Sequence, residues 1–135
     1  EGMTLQDAMK GADVFIGVSA PNVVTKAMVR SMNKNAIVFA MANPVPEIMP
    51  GDAKEAGARV VASGRSDFPN QINNALVFPG VFRGLLDYRI KKLTSEMKMK
   101  AAQAIASLVK KPTAGKIIPD IFDKRIVPAI RNAMK

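Results

Sequence analysis

Residues 12–44 read ADVFIGVSAPNVVTKAMVRSMNKNAIVFAMANP. Two short apolar runs rich in β-branched side chains, 12–19 (ADVFIGVS) and 36–42 (AIVFAMA), enclose a segment of different period. Each run is short, ends in turn chemistry (Ala20-Pro21-Asn22 and Asn43-Pro44) and lacks apolar/polar alternation, the pattern of a strand buried on both faces. Between them, Val24, Met28 and Met32 recur at helical spacing and Thr25 stands near the N-cap. A strand, a crossover helix and a second strand give a parallel pair, because only a crossover returns the chain to the same edge in the same direction.

Working outward, residues 59–62 (RVVA) repeat the strand pattern more briefly and end in Ser63-Gly64, and residues 50–56 form a short helix that Gly57 stops. Three parallel strands with right-handed crossovers follow. Downstream the pattern is helical throughout. Residues 70–86 carry Ile72, Leu76, Val77, Val81, Leu85 and Leu86 in a helical array, with a kink or break expected at Pro79-Gly80. Residues 94–109 have Thr94 as cap and Met97, Ala101, Ile105 and Leu108 on one face, with Lys98 and Lys100 pointing away. Residues 117–134 offer Asp123 as a cap and a stripe of Ile126, Val127 and Ile130, shortened or bent by Pro128.

The chain has 135 residues, 48% of them hydrophobic, and no His, Cys or Trp. Disulfides are impossible, and zinc, haem, iron–sulfur and copper sites lose their usual ligands. Serine–histidine and cysteine–histidine hydrolases are excluded as well. No apolar run reaches membrane-spanning length, and EGMTLQDAMK at the start lacks signal-peptide character. The reading is of a soluble, cytoplasmic chain with no membrane partner. Because it starts at Glu1, with Met first at position 3, it is expected to be processed or cut from a longer polypeptide.

The formal net charge of +9 is unevenly placed: residues 1–80 hold seven basic and seven acidic side chains, residues 81–135 thirteen and four. Clustered Lys and Arg invite a nucleic-acid reading. Lys91, Lys92, Lys98, Lys100, Lys110 and Lys111 have few aromatics beside them to stack bases, so a solvated face or a subunit contact is preferred.

In an open parallel α/β sheet, ligands bind beyond the carboxyl ends of the strands. That rule selects three loops. In 17–22, small side chains let a flat ligand lie on the backbone and Ser19 offers a hydroxyl; in 42–47, Pro44 holds Asn43 extended. The third, 64–74 (GRSDFPNQINN), crowds in neutral amides, which present donor and acceptor together without charge and suit a carboxamide, hydroxyl or carboxylate near a redox centre. Turn chemistry accounts for Asn70. It explains less of Asn73-Asn74, which lies inside a segment that otherwise reads as helix.

The runs DVFIGVSAP (13–21), IVFAMANPVPEI (37–48), GRSDFPNQINNALVFPGVFRG (64–84) and KIIPDIFDKRIVPAI (116–130) resemble, collinearly, the C-terminal part of malic enzyme in its shorter bacterial form. The resemblance implies an α/β fold: the C-terminal half of a Rossmann-like doubly wound parallel sheet over 1–89, then a helical extension over 90–135. It implies oxidative decarboxylation of L-malate to pyruvate and CO2 with NAD+ or NADP+ and Mg2+ or Mn2+. Carried over residue by residue, Gly17, Val18, Ser19 and Ala20 lie along the dinucleotide, Asn43 and Asn73 meet both cofactor and substrate, and Asn74 meets the substrate. The family's glycine fingerprint, catalytic tyrosine and lysine, and metal carboxylates have no match here; Tyr88, Lys91 and Lys92 do not fit them, and Arg65 and Asp67 receive no role. The chain is therefore read as a positioning part with no catalytic residue and no metal ligand, inactive alone, completed by a missing N-terminal part and expected in a homo-oligomer. Two other classes stay open: a non-catalytic assembly or regulatory module, and a basic nucleic-acid-binding module.

A sheet that starts at the fourth strand of such a fold lacks its central neighbour. Residues 14–18 are expected to form an aggregation-prone edge.

Overall fold

The computed structural model describes residues 2–135. It divides into two compact units, Glu1–Ile72 and Asn73–Lys135; the helix covering most of residues 73–89 thus falls in the second unit.

The first unit holds strands β1 (Val14–Gly17), β2 (Ile37–Ala40) and β3 (Val60–Ser63), with helices α1 (Leu5–Met9), α2 (Lys26–Arg30) and α3 (Pro50–Glu55). All three strands are parallel, in the order β1-β2-β3, with Gly17, Ala40 and Ser63 paired at their carboxyl ends. The register places Phe15, Val38 and Val61 on one face, where Val38 and Val61 are buried and join Val29 and Met32 and, from α3, Ala53 in one core. Burying each such valine contributes about 1.5–3 kcal/mol. The opposite face differs from the expectation of strands buried on both sides: Val14 and Ile16 are 47% and 62% exposed.

Local chemistry sets the helix ends. Thr25 Oγ1 accepts from the Met28 N–H at 3.2 Å, a cap worth about 1 kcal/mol. Helix α2 is shorter than the expected 23–32 because the N–H groups of Asn22 and Val24 donate to the carbonyls of Pro46 and Glu47, at 3.1 and 3.0 Å, and so bind the preceding residues into a loop. Pro50 opens α3, where its missing N–H costs nothing, and Gly57 ends it at φ +105°. Helix α1, which the sequence reading did not draw, is closed by a capping box between Thr4 and Asp7.

The second unit contains a 3-10 turn (Asn74–Leu76) and helices α4 (Phe78–Asp87), α5 (Ser95–Ser107) and α6 (Ile126–Ala133). Thr94 caps α5 as expected. Residues 70–86 correct the sequence reading: they do not form a helix interrupted at Pro79-Gly80. Asn70 takes the left-handed conformation at φ 58°, and α4 starts at Phe78 with Pro79 in its first turn. A proline there removes only an N–H that has no partner within the helix. Pro128 lies in the first turn of α6 by the same logic, and the helix is short as expected, covering Ile126–Ala133 of the segment 117–134. Asp123 is not the α6 cap; its Oδ1 accepts from the Arg125 N–H at 3.0 Å.

Helices α4 and α6 meet closely. A Cβ built on Gly80 falls 2.6 Å from Ile130 Cβ, and one on Gly84 falls 2.5 Å from Met134 Cγ. Ile130 and Met134 are fully buried between Leu76, Val81, Ala101, Ile105 and Ile126.

Candidate functional site

The carboxyl ends of β1, β2 and β3 form one rim of the first unit. Three segments leave it: residues 18–22, 41–47 and 64 onward.

A buried carboxylate ties the first two together. Glu47 has no exposed surface. Its Oε1 accepts from the Ser19 N–H at 2.7 Å and the Ser19 hydroxyl at 3.2 Å, and its Oε2 from the Ala42 N–H at 3.0 Å. It sits so close to β1 that a Cβ on Gly17 would lie 2.5 Å from Glu47 Cδ. Burial pushes this carboxyl up, and the N–H groups of Ser19, Ala42 and Glu47 itself, with the Ser19 hydroxyl, outweigh that, holding it below the ordinary carboxylate range. Sequence reasoning assigns no role to Glu47, which lies in the loop 42–47. Its signal was present: Glu47 is the one charged residue in the apolar, proline-rich stretch 41–50.

Val18, Ser19 and Ala20 are exposed beyond this tie. The Ser19 hydroxyl, expected to face a ligand, donates its proton inward to Glu47, so outward it presents only lone pairs.

Asn43 stands at the end of β2, exposed, joined to Pro44 by a cis peptide bond. Its amide lies against Gly64: a Cβ there would approach Asn43 Oδ1 to 3.1 Å and Nδ2 to 3.2 Å. It hydrogen-bonds to none of the described residues. A neutral donor–acceptor pair is therefore presented at the rim with both functions available.

The amide-rich loop divides by role. Asn70 is buried, and its Nδ2 donates to the Val61 carbonyl at 3.0 Å, which is turn chemistry as expected. Arg65 and Asp67 form a two-point pair at 2.9 and 2.6 Å, partly exposed and worth about 0–1 kcal/mol. In the second unit, Asn73 caps the 3-10 turn, its Oδ1 accepting from the Ala75 N–H at 2.9 Å. Turn chemistry thus claims that oxygen. Asn74 is exposed, and its side-chain amide bonds to none of the described residues. No group of three or more acidic side chains that could hold a metal ion occurs among the described residues.

The family described as "Malic enzyme, NAD binding domain" matches residues 1–130. The chain belongs to the malic enzyme family. It is 58% identical over 133 residues to the bifunctional malic/malolactic enzyme of Bacillus subtilis (strain 168), covering 97% of this chain and 32% of that protein. It is 51% identical to the NAD-dependent malic enzyme of Geobacillus stearothermophilus, with 97% and 28% covered. Among solved structures, the malic enzyme of Pyrococcus horikoshii Ot3 superposes with a TM-score of 0.90 at 50% identity, covering 96% of this chain and 30% of that one. The NAD-dependent malic enzyme of Thermotoga maritima gives 0.92 at 45%, with 97% and 34% covered. The three parallel strands and their helices are those of the malic enzymes' Rossmann-like NAD-binding fold. The chain spans about a third of the length of these relatives.

Proposed function

We propose that this chain is the part of a malic enzyme that positions NAD+ or NADP+ and L-malate while the latter is converted to pyruvate and CO2. The single observation that carries the reading is the exposed, unbonded amide of Asn43 at the carboxyl rim of a parallel sheet, in a chain of this family. Gly64 leaves room for that amide, and the exposed small residues Ser19 and Ala20 leave the backbone open to a flat ligand. The rim fits a dinucleotide on these grounds.

NAD+ or NADP+, when held along this rim, would supply the hydride acceptor for the malate carbinol carbon. Asn43 orients: its Nδ2 donates to a carboxylate or carboxamide oxygen, and its Oδ1 accepts from a hydroxyl. Residues 18–20 carry the dinucleotide on their backbone, with Gly17, which the family resemblance also assigns to the cofactor, buried behind them against Glu47; Asn73 and Asn74, in the second unit, are assigned to cofactor and substrate by the family resemblance alone. The proton leaving the malate hydroxyl goes to a base outside these residues. Mg2+ or Mn2+, the family's metal, is likewise assigned no ligand here. On this reading the chain alone is inactive, works in the cytoplasm as part of a longer, oligomeric polypeptide, and gives no turnover without the rest.

The test is an assay of the complete polypeptide carrying residues 1–135, beside the 135-residue chain, with L-malate, Mn2+ and either dinucleotide. Malate-dependent formation of reduced nicotinamide by the complete polypeptide only is expected. No reduction with either dinucleotide would sink the function. Turnover by the short chain would sink its assignment as a positioning part.

A further inference from the structure

We infer that Glu47 is a positioning residue for the dinucleotide, a buried latch that fixes the loop 18–20 against the Asn43 loop. The inference rests on the function proposed above. Glu47 touches no part of the rim's exposed surface, so it acts through Ser19 and Ala42 and is not itself a ligand contact.

A fully buried carboxylate is costly unless its charge is compensated. No Lys or Arg among the described residues pairs with Glu47; its compensation comes from two backbone N–H groups and one hydroxyl. These donors are not scattered. One residue, Ser19, lies within the loop assigned to the dinucleotide, and the other, Ala42, directly precedes Asn43. The two loops are 28 and 5 residues from Glu47 along the chain, so one side chain sets the spacing of segments that local sequence cannot align. The carbonyls of Pro46 and Glu47 bind the same outer loop again through Asn22 and Val24. Gly17 completes the arrangement, since any side chain there would occupy the carboxylate's seat.

The latch also sets polarity. With the Ser19 N–H and hydroxyl proton both directed at Glu47, Ser19 offers acceptors outward. Ligand groups that meet it are therefore donors, a ribose hydroxyl or a carboxamide N–H, and not phosphate oxygens.

Glu47→Gln keeps the volume but leaves one of the two N–H donors facing an NH2 group, whichever way the amide turns. Steady-state kinetics of the complete polypeptide, with thermal melting recorded in parallel, tests the assignment. Glu47→Gln is expected to raise the dinucleotide KM about tenfold, with the malate KM and kcat changed by less than about threefold. Ser19→Ala, which removes only the weakest of the three bonds, is expected to raise the dinucleotide KM by about two- to threefold without unfolding risk. An unchanged dinucleotide KM in both variants overturns the assignment, as does a fall in kcat and melting temperature with a similar rise in both KM values, which marks a purely structural role. A wild-type polypeptide that shows no malate-dependent reduction overturns the proposed function itself, before any variant is compared.

Discussion

Two residues at the sheet rim make opposite demands on mutation. Asn43 is exposed and bonded to none of the described residues, so Asn43→Ala removes little from the fold. If its amide orients the reacting groups, kcat/KM for malate in the complete polypeptide falls by about 10²-fold, the cost of losing one preorganised polar contact, while the urea unfolding midpoint stays within error. Equal losses of activity and stability would place Asn43 in the scaffold. Gly17→Ala works the other way. Its new Cβ would lie 2.5 Å from Glu47 Cδ and 2.8 Å from the Phe15 ring, so the strand end or the latch must move. Unfolding should cost about 1–3 kcal/mol less than in the wild type, measured by urea titration. At this scale the rim loops and the amides are legible in the sequence, because turn residues and strand ends are local signals. It concealed the Glu47 latch, whose partner Ser19 is 28 residues away.

Helices α4 and α6 depend on glycine for their close approach, and the two glycines differ in what they face. Gly80 meets the β-branched Ile130 at its stiff Cβ and lies near the Val127 carbonyl; Gly84 meets the more adaptable Met134. Gly80→Ala should therefore destabilise the second unit by about 1–3 kcal/mol, and more than Gly84→Ala, in paired thermal melts. The same unit carries acid-sensitive pairs. Hydrogen bonding from Arg131, with Arg83 nearby, holds Asp87 below the usual carboxylate range, and the Arg125 guanidinium and N–H lower Asp123 from 3.8 to about 2. Because the folded values lie below the unfolded ones, this stabilisation is complete above about pH 4 and is lost as pH falls through the folded values. Melting temperature should decline from about pH 4 towards pH 2, and Asp87→Asn should flatten part of that decline. The helices themselves were readable from period and caps, Thr25 and Thr94 most plainly. Pro79 misled because a proline reads as a break until its place in the first turn is known, whereas the shortening expected at Pro128 matches the eight-residue α6.

For the molecule as a whole, the sheet and the charge carry the consequences. Strand β1 pairs only with β2 among the described residues, and Val14, Ile16 and Val18 are 47%, 62% and 77% exposed. An apolar edge of this kind templates further pairing. Light scattering should show concentration-dependent association of the 135-residue chain that Ile16→Lys suppresses; a monodisperse monomer at all concentrations would contradict this. Within residues 81–135, Arg83 and Arg131 pair with Asp87, Arg125 with Asp123 and Lys100 with Glu96, which orders these side chains and leaves the segment's net basic excess unchanged. The parallel βαβ order was legible in residues 12–44 because strand and crossover signals are local. The uncovered face of β1 was not, since burial on both sides depends on what packs against it. The measurement that bears most directly on the central claim is amide hydrogen exchange of the complete polypeptide with and without saturating dinucleotide. The account predicts that exchange at residues 18–20 and at Asn43 slows about tenfold or more on binding, while residues 117–125 are unaffected. Binding that leaves residues 18–20 and Asn43 unprotected would contradict it.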